Sequence, residues 1–189
     1  MKITTRKLTA AAVVAAAYAA LTMLLAPLSY GSVQFRVSEA LCILPALLPC
    51  TAWGLFAGCI IANLLSAAGP LDIVFGSLAS LGAGLCVAAI GRGRPRRVEP
   101  ALERERPALP GWGRCVAVCL MPALWNGPVI GGVLSWVSMP RAEFWAGTLL
   151  IGAQVAAGEL GVLFLLGLPL LRLLPKNKPV MELIDKLEA

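Results

Sequence analysis

The chain has 189 residues, of which 59% are hydrophobic and only 14% are charged. A soluble domain carries about 25% charged residues, so this composition excludes an ordinary soluble protein and predicts an all-α membrane protein with a single integral membrane domain over residues 1–189. The sequence has no histidine, the commonest general base and metal ligand, and we expect no catalytic site, no metal and no cofactor.

Apolar runs that could cross a bilayer recur along the chain. They predict six transmembrane helices, at about residues 8–28, 39–49, 52–66, 71–90, 113–137 and 144–174. The second is too short to cross a core of about 30 Å at about 1.5 Å per residue, and Pro45 and Pro49 interrupt it. We expect it either to tilt beneath the segment before it or to join the third helix through a kink.

The first predicted helix carries small residues at four-residue intervals. Ala11, Ala15 and Ala19 form one such series, and Ala12, Ala16 and Ala20 form a second. Small side chains at this spacing let another helix approach closely. That helix belongs either to this chain or to another membrane subunit, and the pattern leaves both alternatives open.

Between the first two apolar runs, residues 34–39 place an amide, a cation and a carboxylate close together, on Gln34, Arg36 and Glu39. Charges at the edge of a bilayer are costly and are usually kept for ligands, ions or partners. A surface ion pair between Arg36 and Glu39 is the alternative. Asp72, which opens the fourth helix, is either a binding residue or a carboxylate that complements the helix dipole.

Glu159 lies well inside the last apolar helix, where an unpaired carboxylate costs about 2.5–3.5 kcal/mol on insertion scales. It therefore binds a ligand or is a neutral, hydrogen-bonded structural acid. With the other polar residues it predicts a pocket that opens to the outer side, with Glu159 at its floor. Carboxylates, amides and one guanidinium suit a flat, polar heterocycle. The candidate substrate-binding residues are Gln34, Arg36, Glu39, Asp72, Phe75, Asn126, Gln154 and Glu159.

Lysine and arginine lie almost entirely in three segments: the N-terminus, the loop at 91–112 with Arg114 after it, and the C-terminal tail. Only Arg36 and Arg141 lie elsewhere. Because basic residues mark the cytoplasmic side, both termini and the Arg/Pro-rich loop are predicted to be cytoplasmic in a multi-pass protein of the cell membrane. This topology accounts for the net charge of +6, so we expect the lipid bilayer and no nucleic acid as a partner.

Three parts of the chain resemble the QueT family of predicted queuosine-precursor transporters, which are substrate-binding (S) components of energy-coupling factor (ECF) transporters. The first is the stretch at 26–41, with Ala26-Pro27-Leu28-Ser29-Tyr30-Gly31 followed by Gln34-Phe35-Arg36-Val37-Ser38-Glu39-Ala40-Leu41. The second comprises Ala62-Asn63-Leu64 and residues 71–81, and the third is Gly158-Glu159. The resemblance covers about residues 11–171.

The resemblance implies an ECF S-component fold of six helices and a first loop that closes over a pocket built with the fourth to sixth helices. It implies that Ala11, Ala15 and Ala19 dock on a transmembrane (T) component, and that two cytoplasmic ATPases complete the transporter. The implied ligand is a 7-deazaguanine: queuine, or its aminomethyl or cyano precursor. The chain lacks a Gly-x-x-x-x-Gly-Lys-Ser/Thr phosphate loop, so ATP hydrolysis is expected from the partner subunits. Without histidine, a metal cluster or an activated nucleophile, the chain is not expected to be an enzyme by itself.

Three other functions remain open at this point. The chain could be an S component of the same fold for another vitamin or nucleobase. It could be a proton-coupled carrier that works alone. It could also be a structural membrane protein in which the polar residues only hold helices together.

Overall fold

The computed structural model describes residues 4–31, 34–66, 68–92 and 111–188. Within these ranges the chain is helical and contains no β-strand. The α-helices are α1 (Thr5–Leu24), α2 (Ala26–Ser29), α3 (Thr51–Asn63), α4 (Ser77–Arg92), α5 (Trp112–Ser138), α6 (Phe144–Val162), α7 (Leu168–Leu173) and α8 (Lys178–Glu188). Three 3-10 segments (Val37–Ala46, Arg141–Glu143, Leu174–Lys176) and two π-helical turns (Asp72–Gly76, Leu163–Gly167) join them.

Four helical stretches are long and apolar enough to cross a membrane: Thr5–Leu24, Asp72–Arg92, Trp112–Ser138 and Arg141–Lys176. Two more, Val37–Ala46 and Thr51–Asn63, are apolar but shorter. The prediction of an all-helical protein is confirmed. The count of six crossings and the cytoplasmic position of the termini stay predictions, and most of the predicted loop at 91–112 (residues 93–110) lies outside the described residues.

Close glycine contacts show that α1 and α3 run in the same direction. Gly54 of α3 lies against the backbone of Ala11, and Gly58, one turn later, lies against Ala15. Because α1 and α3 are parallel, the chain must run back in the opposite direction between them. The segment Val37–Ala46 makes that return, and its Ala46 lies against Gly91 near the end of α4.

The remaining helices alternate in direction. Trp125 of α5 covers Gly82 of α4, and Ile130 of α5 lies beside Gly76, before α4, so α5 runs antiparallel to α4. Gly131 of α5 approaches the backbone of Gly152 of α6, and these two helices are also antiparallel. The guanidinium of Arg172 lies over the ring of Trp112, 3.6 Å from its centroid, which brings the end of α7 back to the start of α5.

The second predicted helix, at 39–49, is a 3-10 helix over Val37–Ala46. A 3-10 helix rises about 2.0 Å per residue, compared with about 1.5 Å for an α-helix. Ten residues therefore cover about 20 Å instead of about 15 Å. The segment lies at the centre of the protein, where Ile43 packs in one core with Tyr18, Leu55, Val118 and Leu163.

The C-terminal tail forms a helix that the sequence analysis did not predict. Helix α8 contacts α1, and Ile184 packs against the core. Met181 and Ile184 lie three residues apart, the spacing of one face of a helix. This spacing was the indication of a helix in the sequence, but the charged residues between the two apolar positions made it difficult to recognise.

We predict that Gly58→Ala destabilises the protein. An added Cβ would lie 2.7 Å from the carbonyl oxygen of Ala15 and 3.0 Å from Cβ of Tyr18, so α1 and α3 must separate. Overpacking of this kind costs about 1–3 kcal/mol and should lower the unfolding temperature of the protein purified in detergent. Gly132→Ala is the control, because a Cβ there meets nothing within 4 Å. Equal unfolding temperatures for the two variants would contradict the close α1–α3 packing.

Candidate functional site

Six polar side chains are buried together between the 3-10 segment and helices α3, α4, α5 and α6. No more than 5% of any of them is exposed. Burying polar groups is costly unless they find hydrogen-bond partners, so each contact within this group has consequences for stability or binding. We call these residues the polar group: Arg36, Glu39, Asn63, Asp72, Asn126 and Glu159.

Arg36 is held at the start of the 3-10 segment by a tight turn. Its N–H donates to the carbonyl of Gln34 at 2.9 Å, and Gln34 has a left-handed φ of 47°. The guanidinium donates from Nε to the carbonyl of Ser29 at 3.3 Å and from Nη1 to Oδ1 of Asn63 at 3.4 Å. It also lies over the ring of Tyr30, 5.3 Å from the centroid. Its remaining nitrogen, Nη2, has no hydrogen-bond partner among the described residues.

Asp72 lies at the turn between α3 and α4, where Gly69 adopts a φ of 62°. Its backbone carbonyl accepts from Nδ2 of Asn63 at 3.0 Å, and its Oδ2 accepts from the hydroxyl of Ser66 at 2.5 Å. The other carboxylate oxygen, Oδ1, is buried and has no partner in the described part of the chain. It lies beside Gly76, where an added Cβ would meet it at 2.8 Å, so a side chain at this position would crowd Oδ1.

Glu39 connects the 3-10 segment to α1. The hydroxyl of Tyr18 donates to Oε1 at 2.5 Å, and Sγ of Cys42 donates to Oε2 at 2.9 Å. One turn further along α1, the hydroxyls of Thr22 and Ser38 share a hydrogen bond of 2.6 Å. Both oxygens of Glu39 therefore have partners within the protein. The alternative of a surface ion pair between Arg36 and Glu39 is wrong, because both side chains are buried.

Glu159 accepts a hydrogen bond of 2.7 Å at Oε1 from Nδ2 of Asn126. Glycines at the α5–α6 contact bring the two helices close enough for this bond. Oε2 of Glu159 and Oδ1 of Asn126 are buried and have no partners among the described residues. Glu159 also lies close enough to Glu39 and Arg36 to interact electrostatically with both.

The other predicted substrate-binding residues lie outside this group. Gln34 is buried next to Arg36 and flanks it. Gln154 is half-buried, one turn before Gly158 on α6. Phe75 is 48% exposed on the π-helical turn before α4, so the structure does not bring it to the polar group.

The sequence analysis missed Tyr18, Cys42 and Ser66, which supply hydrogen bonds to the carboxyl groups. Tyr18 carried a usable signal. A buried tyrosine hydroxyl needs a partner, and this tyrosine lies within an alanine-rich apolar helix. What the sequence could not give was the identity of that partner, Glu39, which lies 21 residues further along the chain.

The predicted docking face on α1 requires a correction. Ala11, Ala15 and Ala19 are buried inside this chain, and Ala11 and Ala15 lie directly against Gly54 and Gly58 of α3. They therefore form an internal contact and do not present a free surface. The second series, Ala12, Ala16 and Ala20, is exposed.

Together, the apolar helices and the buried polar group describe a helical membrane protein with a polar centre. The family model described as QueT transporter matches residues 8–176, and the chain belongs to the QueT transporter family. No curated protein and no solved structure gives a significant match. Membership implies a membrane transporter for queuosine precursors that is not itself an enzyme.

We predict that the Tyr18–Glu39 hydrogen bond stabilises the fold, and that a double-mutant cycle will detect it. Tyr18→Phe leaves a buried carboxyl oxygen without its donor, which costs about 1–3 kcal/mol. Combined with Glu39→Gln, the two changes should be non-additive in the free energy of unfolding, because the residues are in direct contact. Strictly additive effects would show that the contact contributes nothing to stability.

Proposed function

We propose that this protein is the substrate-binding subunit of an ECF-type uptake transporter in the cell membrane, and that it binds a 7-deazaguanine. The ligand would be queuine, or its aminomethyl or cyano precursor. Besides family membership, one observation carries the proposal. Four polar atoms of the buried group have no protein partner in the described residues: Arg36 Nη2, Asp72 Oδ1, Asn126 Oδ1 and Glu159 Oε2.

Three of these atoms, those of Arg36, Asn126 and Glu159, complement the hydrogen-bonding edge of a guanine-like ring. Such an edge has a ring N–H and an exocyclic amine as donors, and a ring carbonyl as acceptor. Oε2 of Glu159 and Oδ1 of Asn126 accept from the two donors in this proposal, and the carbonyl accepts from Nη2 of Arg36. Because a buried donor or acceptor without a partner is costly, a ligand that satisfies all of these atoms gains both affinity and orientation.

Glu39 has a different role in this proposal from the one expected from the sequence. Both of its oxygens accept from the protein, so we propose that it positions the 3-10 segment, and thereby Arg36, without contacting the ligand. Gln34, which is buried two residues before Arg36, and Gln154, which is half-buried on α6, are kept as candidates for contacts with the ring substituents. Phe75 is exposed and is not part of the proposed site.

Transport in this proposal requires other subunits: a T component in the membrane and two cytoplasmic ATPases. The sequence has no phosphate-binding loop of its own. The exposed series Ala12, Ala16 and Ala20 has the spacing that lets a partner helix approach α1 closely. We therefore propose this face as the docking surface for the T component, in place of Ala11, Ala15 and Ala19.

Ligand binding is tested by thermal unfolding in detergent with queuine, its aminomethyl and cyano precursors, guanine, riboflavin, thiamine and biotin. A ligand present at 100 times its dissociation constant stabilises the protein by about 2.7 kcal/mol, and we expect this effect from deazaguanines only. Stabilisation by a different compound would contradict the proposed substrate. No effect from any compound would contradict the proposed binding function.

We predict that Glu159→Gln weakens deazaguanine binding about tenfold or more, because removing one partner of a charged, buried hydrogen bond costs about 1.5–3 kcal/mol. The matched control is Glu143→Gln, the same change at an exposed position in the segment Arg141–Glu143. Titration calorimetry on the two purified variants measures the effect. Equal affinities would remove Glu159 from the site.

We predict that Ala16→Trp prevents assembly with the T component and abolishes uptake, while deazaguanine affinity changes less than about twofold. A large side chain on this face blocks the close approach that small residues permit. Leu149→Trp, at a highly exposed position on α6, is the control and should leave assembly intact. Co-purification of the membrane subunits measures assembly. Normal assembly of Ala16→Trp would place the docking surface elsewhere.

A further inference from the structure

The buried polar group contains more acid than base. Its ionisable members are three carboxyl groups, on Glu39, Asp72 and Glu159, and one guanidinium, on Arg36. The hydrogen bonds to these carboxyl groups come from neutral donors: the hydroxyls of Tyr18 and Ser66, the thiol of Cys42 and the amide of Asn126. Neutral donors stabilise a carboxylate but do not balance its charge.

The unpaired atoms show the same imbalance. Among the described residues of the polar group, Asp72, Asn126 and Glu159 each have an acceptor oxygen without a partner, whereas Arg36 has one donor nitrogen without a partner. A guanine-like edge uses the acceptors of Asn126 and Glu159 in the proposed function. Oδ1 of Asp72 is then left over. It is fully buried, and the ring edge bound by Arg36, Asn126 and Glu159 has no further donor directed to it in that arrangement.

Helix α5 borders both parts of the site, about one helical turn apart. A Cβ added at Gly76 would lie 2.8 Å from Oδ1 of Asp72, 2.8 Å from Nδ2 of Asn63 and 3.1 Å from Cδ1 of Ile130, so the free oxygen and Ile130 both border Gly76. Asn126 lies four residues earlier on the same helix, about 6 Å along its axis. That separation is comparable with the distance across a bicyclic ring that carries a short arm.

We propose that the site selects a positively charged ligand and that Asp72 is the counter-ion for its amine. The proposal rests on the proposed function, because it takes the guanine-like ring as bound by Asn126 and Glu159. The ligand class is a 7-deazaguanine with a cationic amine on its arm. An ammonium group provides three donors and one positive charge, which satisfy Oδ1 of Asp72 and offset the surplus of carboxyl groups.

A neutral arm would not fit in the same way. The nitrile of the cyano precursor is an acceptor only, and it would face the acceptor oxygen of Asp72. In a low-dielectric site, charge interactions are stronger than in water, so the difference between a cation and a nitrile is enlarged there. Asp72 is thus a specificity-determining residue, whereas Asn126 and Glu159 recognise the ring that both ligands share.

The test compares two ligands that share the ring, the aminomethyl and the cyano 7-deazaguanine, by titration calorimetry at pH 7 on the purified full chain. We expect the wild-type protein to bind the aminomethyl compound at least about tenfold more tightly. Asp72→Asn should remove this preference by weakening aminomethyl binding about tenfold, with cyano binding changed less than about twofold. Glu143→Gln, which removes one negative charge from an exposed position, should keep the preference.

Each other outcome overturns the proposal in a recognisable way. Equal affinities of the wild-type protein for the two ligands would show that the site does not select charge. If Asp72→Asn lowers the affinity for both ligands equally, Asp72 supports the structure of the site without binding the amine. If Asp72→Asn does not fold, the wild-type comparison still decides the charge preference. If neither compound binds, the proposed function itself fails, and this proposal fails with it.

Discussion

The hydrogen bond between Tyr18 and Glu39 is the contact on which the rest of the structure depends. It holds the 3-10 segment Val37–Ala46 against α1 with a carboxyl group that is almost fully buried. That segment returns the chain between the parallel helices α1 and α3, and it begins directly after Arg36. A buried carboxyl group without donors would be strongly destabilising. The donors on Tyr18 and Cys42 therefore help fix the position of the segment, and the segment fixes Arg36.

The same contact joins the proposed partner surface to the proposed ligand site. Helix α1 holds Glu39 through Tyr18 on its inner side, and its exposed side carries Ala16 and Ala20 in the adjoining turns. A subunit that shifts α1 from outside would move Tyr18 in the same step. The Tyr18–Glu39 contact, followed by the short stretch of chain from Glu39 to Arg36, then links the partner surface to Arg36. This is a short physical route for coupling between two sites.

A structural feature could be predicted from the sequence where it depended on a residue's position within its own helix. It could not be predicted where it depended on a contact with a distant part of the chain. The cost of a carboxylate within an apolar helix marked Glu159 as needing a partner, and the structure provides Asn126. Which helix packs against a series of small residues cannot be determined from the series itself. α1 carries two such series one residue apart, and only Gly54 and Gly58 of α3 determine that Ala11 and Ala15 face inward. The Tyr18–Glu39 pair and the 3-10 geometry likewise depend on contacts that no local pattern encodes.

In the proposed ligand site, selectivity follows from the buried polar atoms. A site built to hydrogen-bond a ligand rejects analogues that leave its buried groups unpaired far more strongly than an apolar pocket rejects a change of shape. An adenine-like ring would place an exocyclic amine where a guanine-like ring has its carbonyl, so two donors would meet at Nη2 of Arg36. It would also lack the ring N–H for which Glu159 and Asn126 provide acceptors. The guanidinium of Arg36 is fixed by Ser29, Asn63 and Tyr30 and cannot turn away without losing those contacts, so the mismatch would carry its full cost.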